Sequence, residues 1–438
     1  MLSILSDRTY RHLFLAQVIA LVGTGLASVA LGLLAYDLTG ARASAVLGTI
    51  FTIKMVAYVS IAPIAGALAE RLPRRAMLVV LDVVRAGAAL CLPFVTEVWQ
   101  VYILIAVLQS ASAAFTPVFQ ATIPDVLPDE ERYTRALSLS RLAYDLENIL
   151  SPMLAAAALL IVSFNTLFFG TMLGFIASAL LVVSVLLPSP KPAARRPIWQ
   201  RSFTGIRIYL ATPRLQGLLA LTLTAASGGA MVLVNTVVLV RAELGLSESA
   251  LAISMGAFGA GSMAAALALP RLLGRLDDRP VMLSGALVLI AALVGFAVVI
   301  RSLGLSWPAL LLAWGVAGIG YSAILTPSGR LLRRSVHDED RPAIFAAQFA
   351  LSHACWLIAY PLAGALMTGL GAVAALLVLA GLGGVGLLAA RALWPAGDPV
   401  VLEHRHDDLP RDHPHLKGRR THRHAFVIDN LHETWPGR

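Results

Sequence analysis

Twelve long apolar stretches occupy most of this chain: 12–36, 43–69, 77–96, 99–122, 136–161, 166–187, 215–240, 248–270, 281–300, 307–327, 343–368 and 371–394. A helix needs about 20 mostly apolar residues to cross a bilayer's hydrocarbon core. Each stretch meets that length. None alternates polar with apolar residues as strands of a membrane barrel do. Backbone groups in lipid must bond internally, so the predicted fold is an all-α integral membrane bundle of twelve transmembrane helices. Hydrophobic residues make up 58% of the chain and charged residues 13%. A soluble domain carries about 25% charged residues. The first stretch is too long for a signal-peptide core and is expected to stay in the mature protein. The two cysteines, Cys91 and Cys355, lie inside apolar spans and imply no disulfide framework. No phosphate-binding glycine loop ending in Lys-Ser/Thr appears. There is no hydrolytic constellation either, so no enzymatic activity and no cofactor are expected.

The loops set the orientation. The loops on the N-terminal side carry twenty Lys and Arg before the tail, and the opposite loops carry three: Arg42, Arg241 and Arg301. Positive charge stays inside, so both termini are predicted to be cytoplasmic. The net charge of +9 is therefore read as topology, not as a nucleic-acid surface.

The chain also repeats itself. Asp129-Glu130-Glu131-Arg132 matches Asp338-Glu339-Asp340-Arg341 at an offset of 209 residues, and Pro152 matches Pro361 at the same offset. Thr116-Pro117 matches Thr326-Pro327, and the basic loops 71–75 and 275–279 are similarly placed. Two homologous six-helix halves follow: 1–187 and 215–394, joined by a basic cytoplasmic loop, 188–214, with a histidine-rich tail at 395–438. Within the loop Trp199, Phe203, Ile206 and Leu210 recur at helical spacing, which predicts a helix lying on the inner leaflet. Secondary transporters bind substrate near the midplane between such repeats.

The loop Gly66-Ala67-Leu68-Ala69-Glu70-Arg71-Leu72-Pro73-Arg74-Arg75 resembles the Gly-x-Leu-Ala-Asp-Arg-x-Gly-Arg-Arg loop of the major facilitator superfamily, with Glu70 for Asp and Pro73 where glycine is usual. Span five, 147–156, resembles the Gly-x-x-x-Gly-Pro-x-x-Gly-Gly element of drug antiporters. It keeps only Pro152 and small residues, with Glu147 at a glycine position. The runs 115–124 and 136–147, together with the tail, resemble the superfamily's nickel-resistance exporters. That resemblance implies efflux of nickel and of cobalt.

Ionisable groups inside a membrane are costly and mark function. The first half holds Lys54, Asp82, Arg85, Arg141, Asp145 and Glu147 in its spans. Lys54 and Glu147 sit near mid-span. A carboxylate in a desolvated cavity can alternate between a cation and a proton, so Glu147, then Asp145, are the predicted coupling groups. Lys54 and Arg141 are their counter-charges, and a static Lys54–Glu147 bridge fits the same residues. Asp82 and Arg85, with Glu70, Arg71, Arg74 and Arg75, are the predicted cytoplasmic gate; a permanent Asp82–Arg85 ion pair fits equally. In the second half His353 and Cys355, with Asn235, Met231 and Met255, offer softer ligands. A lone transmembrane histidine is also a common helix-packing hydrogen-bonder.

Seven of ten histidines lie in the tail: His404, His406, His413, His415, His422, His424 and His432, interleaved with carboxylates. Imidazole is a usual ligand for nickel, cobalt, copper and zinc. The pairs are two apart and lack cysteines, unlike zinc fingers, so a labile metal-collecting segment is predicted. Its composition suggests a flexible chain, and Phe426-Val427-Ile428 and Trp435 suggest that its end docks on the cytoplasmic face.

Together these readings predict a monomeric multi-pass exporter of a bacterial-type cytoplasmic (inner) membrane. Its partners would be nickel or cobalt ions, protons and the bilayer, with no nucleic acid. Export of small organic molecules fits the general architecture as well, and a non-transporting metal sensor fits the tail.

Overall fold

The computed structural model describes residues 2–68, 72–129, 132, 136, 139–140, 143, 154–155, 157–187, 198–337, 340–397, 401–405, 421–429, 431–432 and 435. In the first half the helices are α1 Arg8–Thr39, α2 Ala43–Leu68, α3 Arg74–Cys91, α4 Val98–Val126 and α5 Phe164–Val183. A linker helix, α6 Ile198–Ala211, leads to α7 Pro213–Val237, α8 Glu248–Leu272, α9 Asp278–Leu303, α10 Trp307–Leu325, short α11 Ser328–Arg334 and α12 Arg341–Leu393. Among the described residues nine segments are long and apolar enough to cross a membrane, and two of them, Arg8–Ala62 and Ala343–Leu393, each hold two of the predicted spans. Eleven predicted spans are thus accounted for. The fifth, 136–161, lies mostly outside the described residues, and with it Arg141, Asp145 and Glu147.

Local chemistry sets the boundaries. The Asp7 carboxylate accepts from the Tyr10 amide at the start of α1, and the Ser247 hydroxyl accepts from the Ala250 amide at the start of α8; each satisfies an orphan N–H. At the start of α4 the Gln100 side chain accepts from the Thr96 and Glu97 amides. Spans eleven and twelve form one continuous run, broken only at Gly371, whose φ of 81° and ψ of 178° reverse the chain. That left-handed φ favours glycine.

In the first half α1 packs on α5, α2 on α4, and α3 on both α4 and α5; in the second α7 packs on α12, and α10 on α8 and α9. The halves meet through α2, which lies along α12 and α7. Among the described side chains of the linker helix, Gly205, Ile208 and Tyr209 are buried and Leu210 is exposed. The Tyr209 hydroxyl donates to Gln348 of α12. The side chains of Trp199 and Phe203 lie outside the described residues.

The described residues of the tail carry regular structure. Strands β1 Val401–Arg405 and β2 Thr421–Ala425 pair antiparallel. Beyond them Phe426, Ile428 and Trp435 join the apolar cluster at the cytoplasmic end of the second half. Burial of these side chains supplies the free energy that composition alone does not reveal.

Candidate transport pathway and its gates

The inner ends of the halves carry matching ion pairs. Arg74 opens α3 and pairs with Asp125 near the end of α4. Asp278 opens α9, is fully buried, and accepts from Arg330 of α11 at 2.6 and 2.9 Å, with Arg334 3.4 Å away. Asp278 follows Arg74 by 204 residues, the offset of the basic loops, and Arg334 follows Asp125 by 209, the offset of the acidic tetrads. The repeat therefore preserves the bridge and reverses its polarity. Of the predicted gate residues, Arg74 pairs with Asp125 and Arg75 donates to the Val183 carbonyl. Asp125, Asp278, Arg330 and Arg334 were not among the predicted site residues; the 209-residue repeat offset is the signal that links Asp125 with Arg334. Glu70 and Arg71 lie outside the described residues.

Asp82 and Arg85 form a buried pair one turn apart on α3. The Ser178 hydroxyl of α5 donates to the other Asp82 oxygen at 2.8 Å. The Arg85 guanidinium lies between Phe115 and Phe175, 4.1 and 4.4 Å from their ring centres. Cation–π contacts and the paired carboxylate offset the desolvation that isolated charges would suffer. The pair is built inside one half.

Midway through the membrane the two halves bring Lys54 and His353 together. Lys54 stands eleven residues into α2, roughly 16 Å along it at about 1.5 Å per residue. Its ammonium is 5.9 Å from the Tyr58 ring centre, and Tyr58 stacks on His353 at 5.3 Å and 12°. Phe349 meets the imidazole at 4.0 Å and the Tyr58 ring at 6.0 Å, so the three rings form one cluster. The His353 Nδ1 lies 2.6 Å from the Phe349 carbonyl. A carbonyl only accepts, so Nδ1 carries a proton, and in the neutral ring Nε2 keeps its lone pair. This is how metal-binding imidazoles are oriented. The other soft groups are committed to packing. The Asn235 amide donates to Met231 Sδ at 3.1 Å and to the Ala363 carbonyl at 3.3 Å, and Cys355 is buried against the Leu219 carbonyl.

The outer ends are shut. The Tyr36 hydroxyl donates to the Arg241 carbonyl at 2.9 Å, and the Arg241 guanidinium lies 5.4 Å from the Tyr36 ring centre. That carbonyl belongs to a π-helical turn, Val238–Glu243, a distortion that frees backbone groups from the helix ladder. Ser44 donates to Val234 at 3.4 Å. At the α2–α12 crossing a Cβ on Gly48 would stand 2.9 Å from the Tyr360 carbonyl, and one on Gly364 2.5 Å from the Ser44 carbonyl. Only glycine allows this approach.

In the tail, His404 pairs in register with His422, and His424 with Leu402. Strand pairing thus sets two histidine-bearing runs opposite each other. His432 is buried, and its Nδ1 lies 2.9 Å from Asp429, whose other oxygen is 3.5 Å from His337. Burial works to raise the Asp429 pKa. The Leu431 amide, the His432 charge and the His432 amide and ring outweigh it and hold the carboxyl below 3.8. Among the described residues no group of three or more His, Cys, Asp or Glu is arranged to hold a metal ion. His406, His413 and His415 lie outside the described residues.

Comparison with known proteins agrees with this architecture. In structure the chain is similar to the nucleoside transporter NupG (D323A mutant), with a TM-score of 0.68 at 14% identity over 88% of this chain and 100% of that one. It is similar to a bacterial homolog of the human lysosomal transporter Spinster, with a TM-score of 0.69 at 12% identity over 88% and 97%. A D-xylose–proton symporter matches with a TM-score of 0.66 at 14% identity over 90% and 97%. At these identities the likeness is one of fold. In sequence it is similar to the uncharacterized MFS-type transporter YfiS of Bacillus subtilis, 26% identical over 120 residues, which span 27% of this chain and 28% of that protein. The family profile of the Major Facilitator Superfamily matches residues 13–302 and 218–426. With its repeated halves, shut outer seam and charged inner bridges, the chain belongs to the Major Facilitator Superfamily and is a multi-pass membrane transporter.

Proposed function

We propose that this transporter is a proton-coupled exporter that expels a divalent metal, nickel first and cobalt second, across a bacterial cytoplasmic membrane and so confers metal resistance. The observation that carries this reading is the tail hairpin, whose register sets His404 against His422 beside the inner face of the second half. Borderline divalent ions favour imidazole and carboxylate donors. Neutral imidazoles release metal as pH falls. Within the membrane His353 offers Nε2 at the seam between the halves. Glu147, then Asp145, supply the carboxylate that holds either metal or proton, with Lys54 and Arg141 as counter-charges. Competition between the two cations for one carboxylate is sufficient for antiport, so proton re-entry drives metal out.

The test is nickel accumulation in inverted membrane vesicles, with and without an imposed proton gradient. Gradient-dependent uptake that disappears in Glu147→Gln supports the reading. Absence of uptake with folded protein in the membrane refutes it.

Export of small organic molecules is the second reading. The aromatic wall of Tyr58, Phe349, Trp356 and Tyr360 along the seam favours it. Deleting the gene decides between them: lost nickel tolerance with unchanged drug tolerance excludes the organic substrate.

A further inference from the structure

The chain beyond α12 returns to the protein body twice. Trp394, just after the helix, is fully buried, and its carbonyl accepts from Arg279 at 2.9 Å. The hairpin follows, with Leu402 against the cytoplasmic cluster of the second half. Immediately after β2, Phe426 and Ile428 enter that same cluster, 2% and 1% exposed. The end then folds on itself. Asp429 accepts from the Leu431 and His432 amides at 2.8 Å each, and the Phe426 ring meets His432 at 4.8 Å and Trp435 at 5.1 Å.

This knob is held from several sides. The Trp435 ring centre lies 5.2 Å from the guanidinium of Arg214, a buried residue at the start of α7. His337, in the connection after α11, reaches Asp429 at 3.5 Å. Ile208 and Tyr209 of the linker helix share the cluster with Phe426 and Trp435. The linker is itself pressed close to α12: a Cβ on Gly205 would overlap the Ala343 carbonyl. Tail end, linker helix and the inner ends of α7 and α12 thus form one packed unit within the second half.

We propose that Phe426, Ile428, Asp429, His432 and Trp435 form an intramolecular clasp that fixes the histidine-bearing strands and the linker helix to the second half, so that captured cargo is presented from a fixed station and not from a free tether. An unanchored tail of about 40 residues would sample a root-mean-square span of roughly 35 Å. Anchoring both strands keeps His404 and His422, which pair in register, at one place on the inner face and raises the effective concentration of such ligands there. The delivery role rests on the metal-export reading; the clasp itself does not.

Two measurements on the full chain in membranes separate these claims. Trp435→Ala and Phe426→Ala, made separately, leave every histidine and every span in place. Amide hydrogen exchange over 401–405 and 426–432 is expected to rise about tenfold or more in both variants, as local unfolding becomes accessible. Unchanged exchange overturns the clasp. In inverted vesicles the nickel concentration giving half-maximal uptake is expected to rise roughly tenfold with the maximal rate unchanged. Raised exchange with an unchanged half-saturating concentration overturns the delivery role. No nickel uptake by the unaltered chain would overturn delivery together with the metal reading, while the exchange result still decides the clasp.

Discussion

The crossing of α2 and α12 at Gly48 and Gly364 allows a quantitative test of alternating access. Gly364→Ala adds one carbon 2.5 Å from the Ser44 carbonyl and 3.2 Å from two further backbone atoms, where ordinary contact begins at 3.4 Å. The obstacle is backbone on both sides, so the helices must part by about 0.9 Å or bend. Overpacking of this kind costs about 1–3 kcal/mol. The cost applies only to the conformer whose outer ends are shut, and a perturbation that burdens one state shifts the population to the other. At about 1–3 kcal/mol the shift is roughly 5- to 150-fold toward outward opening. Ser44→Cys reports it, because residue 44 is fully buried in the shut seam. The assay is labelling from outside by a membrane-impermeant maleimide. Exposed Cys91 is first replaced by serine, and Ser302→Cys, exposed at the outer end of α9, serves as the freely accessible control. Labelling of residue 44 is expected to accelerate at least about fivefold in Gly364→Ala, while residue 302 labels at an unchanged rate. An unchanged rate at residue 44, in protein inserted at normal levels, would refute the steric argument for the seam.

Three further outcomes are expected. Arg74→Asp sets two carboxylates together at the first-half bridge and should lower thermal stability by about 1–3 kcal/mol, whereas adding Asp125→Arg should recover most of it; failure of the double variant to recover would refute the reversed-polarity equivalence with Asp278–Arg334. Tyr36→Phe removes the hydroxyl bond to the Arg241 carbonyl, worth about 1 kcal/mol; outer-side labelling of Ser44→Cys should rise roughly fivefold, a smaller effect than the upper range for Gly364→Ala. Because Asp429 is held below 3.8 in the folded tail, its contribution is complete above the ordinary carboxylate range and is lost as pH falls through the lowered value. Exchange protection of 426–432 followed downward from pH 6 should therefore fall at an acid edge that Asp429→Asn abolishes.

The relation between sequence and structure differs from element to element. Predicted spans 248–270 and 281–300 lie within α8 and α9 to within a few residues, because apolar length is a local property that lipid enforces on each segment by itself. The Asp82–Arg85 pair was legible for the same reason: three residues along a helix share a face. His353 was legible as a residue but not as a geometry. Its tautomer depends on a carbonyl four residues away, and its stacking depends on Tyr58 in the other half. Glu147, Asp145 and Arg141 remain a reading from sequence.

What the sequence determined by itself was the twelve-span bundle, its cytoplasmic termini and its internal repeat. Hydropathy, loop charge and repeated motifs are each written along the chain and need no knowledge of neighbours in space. Only the tertiary structure decided that Arg74 joins Asp125 while Asp278 joins Arg330, that the outer seam closes on Gly48 and Gly364, and that Phe426 and Trp435 come to rest beside Arg214. Those contacts link residues tens to hundreds of positions apart. Their partners are selected by which side chains the packed helices bring within reach; the repeat offset relates one inner bridge to the other but does not reveal that either forms.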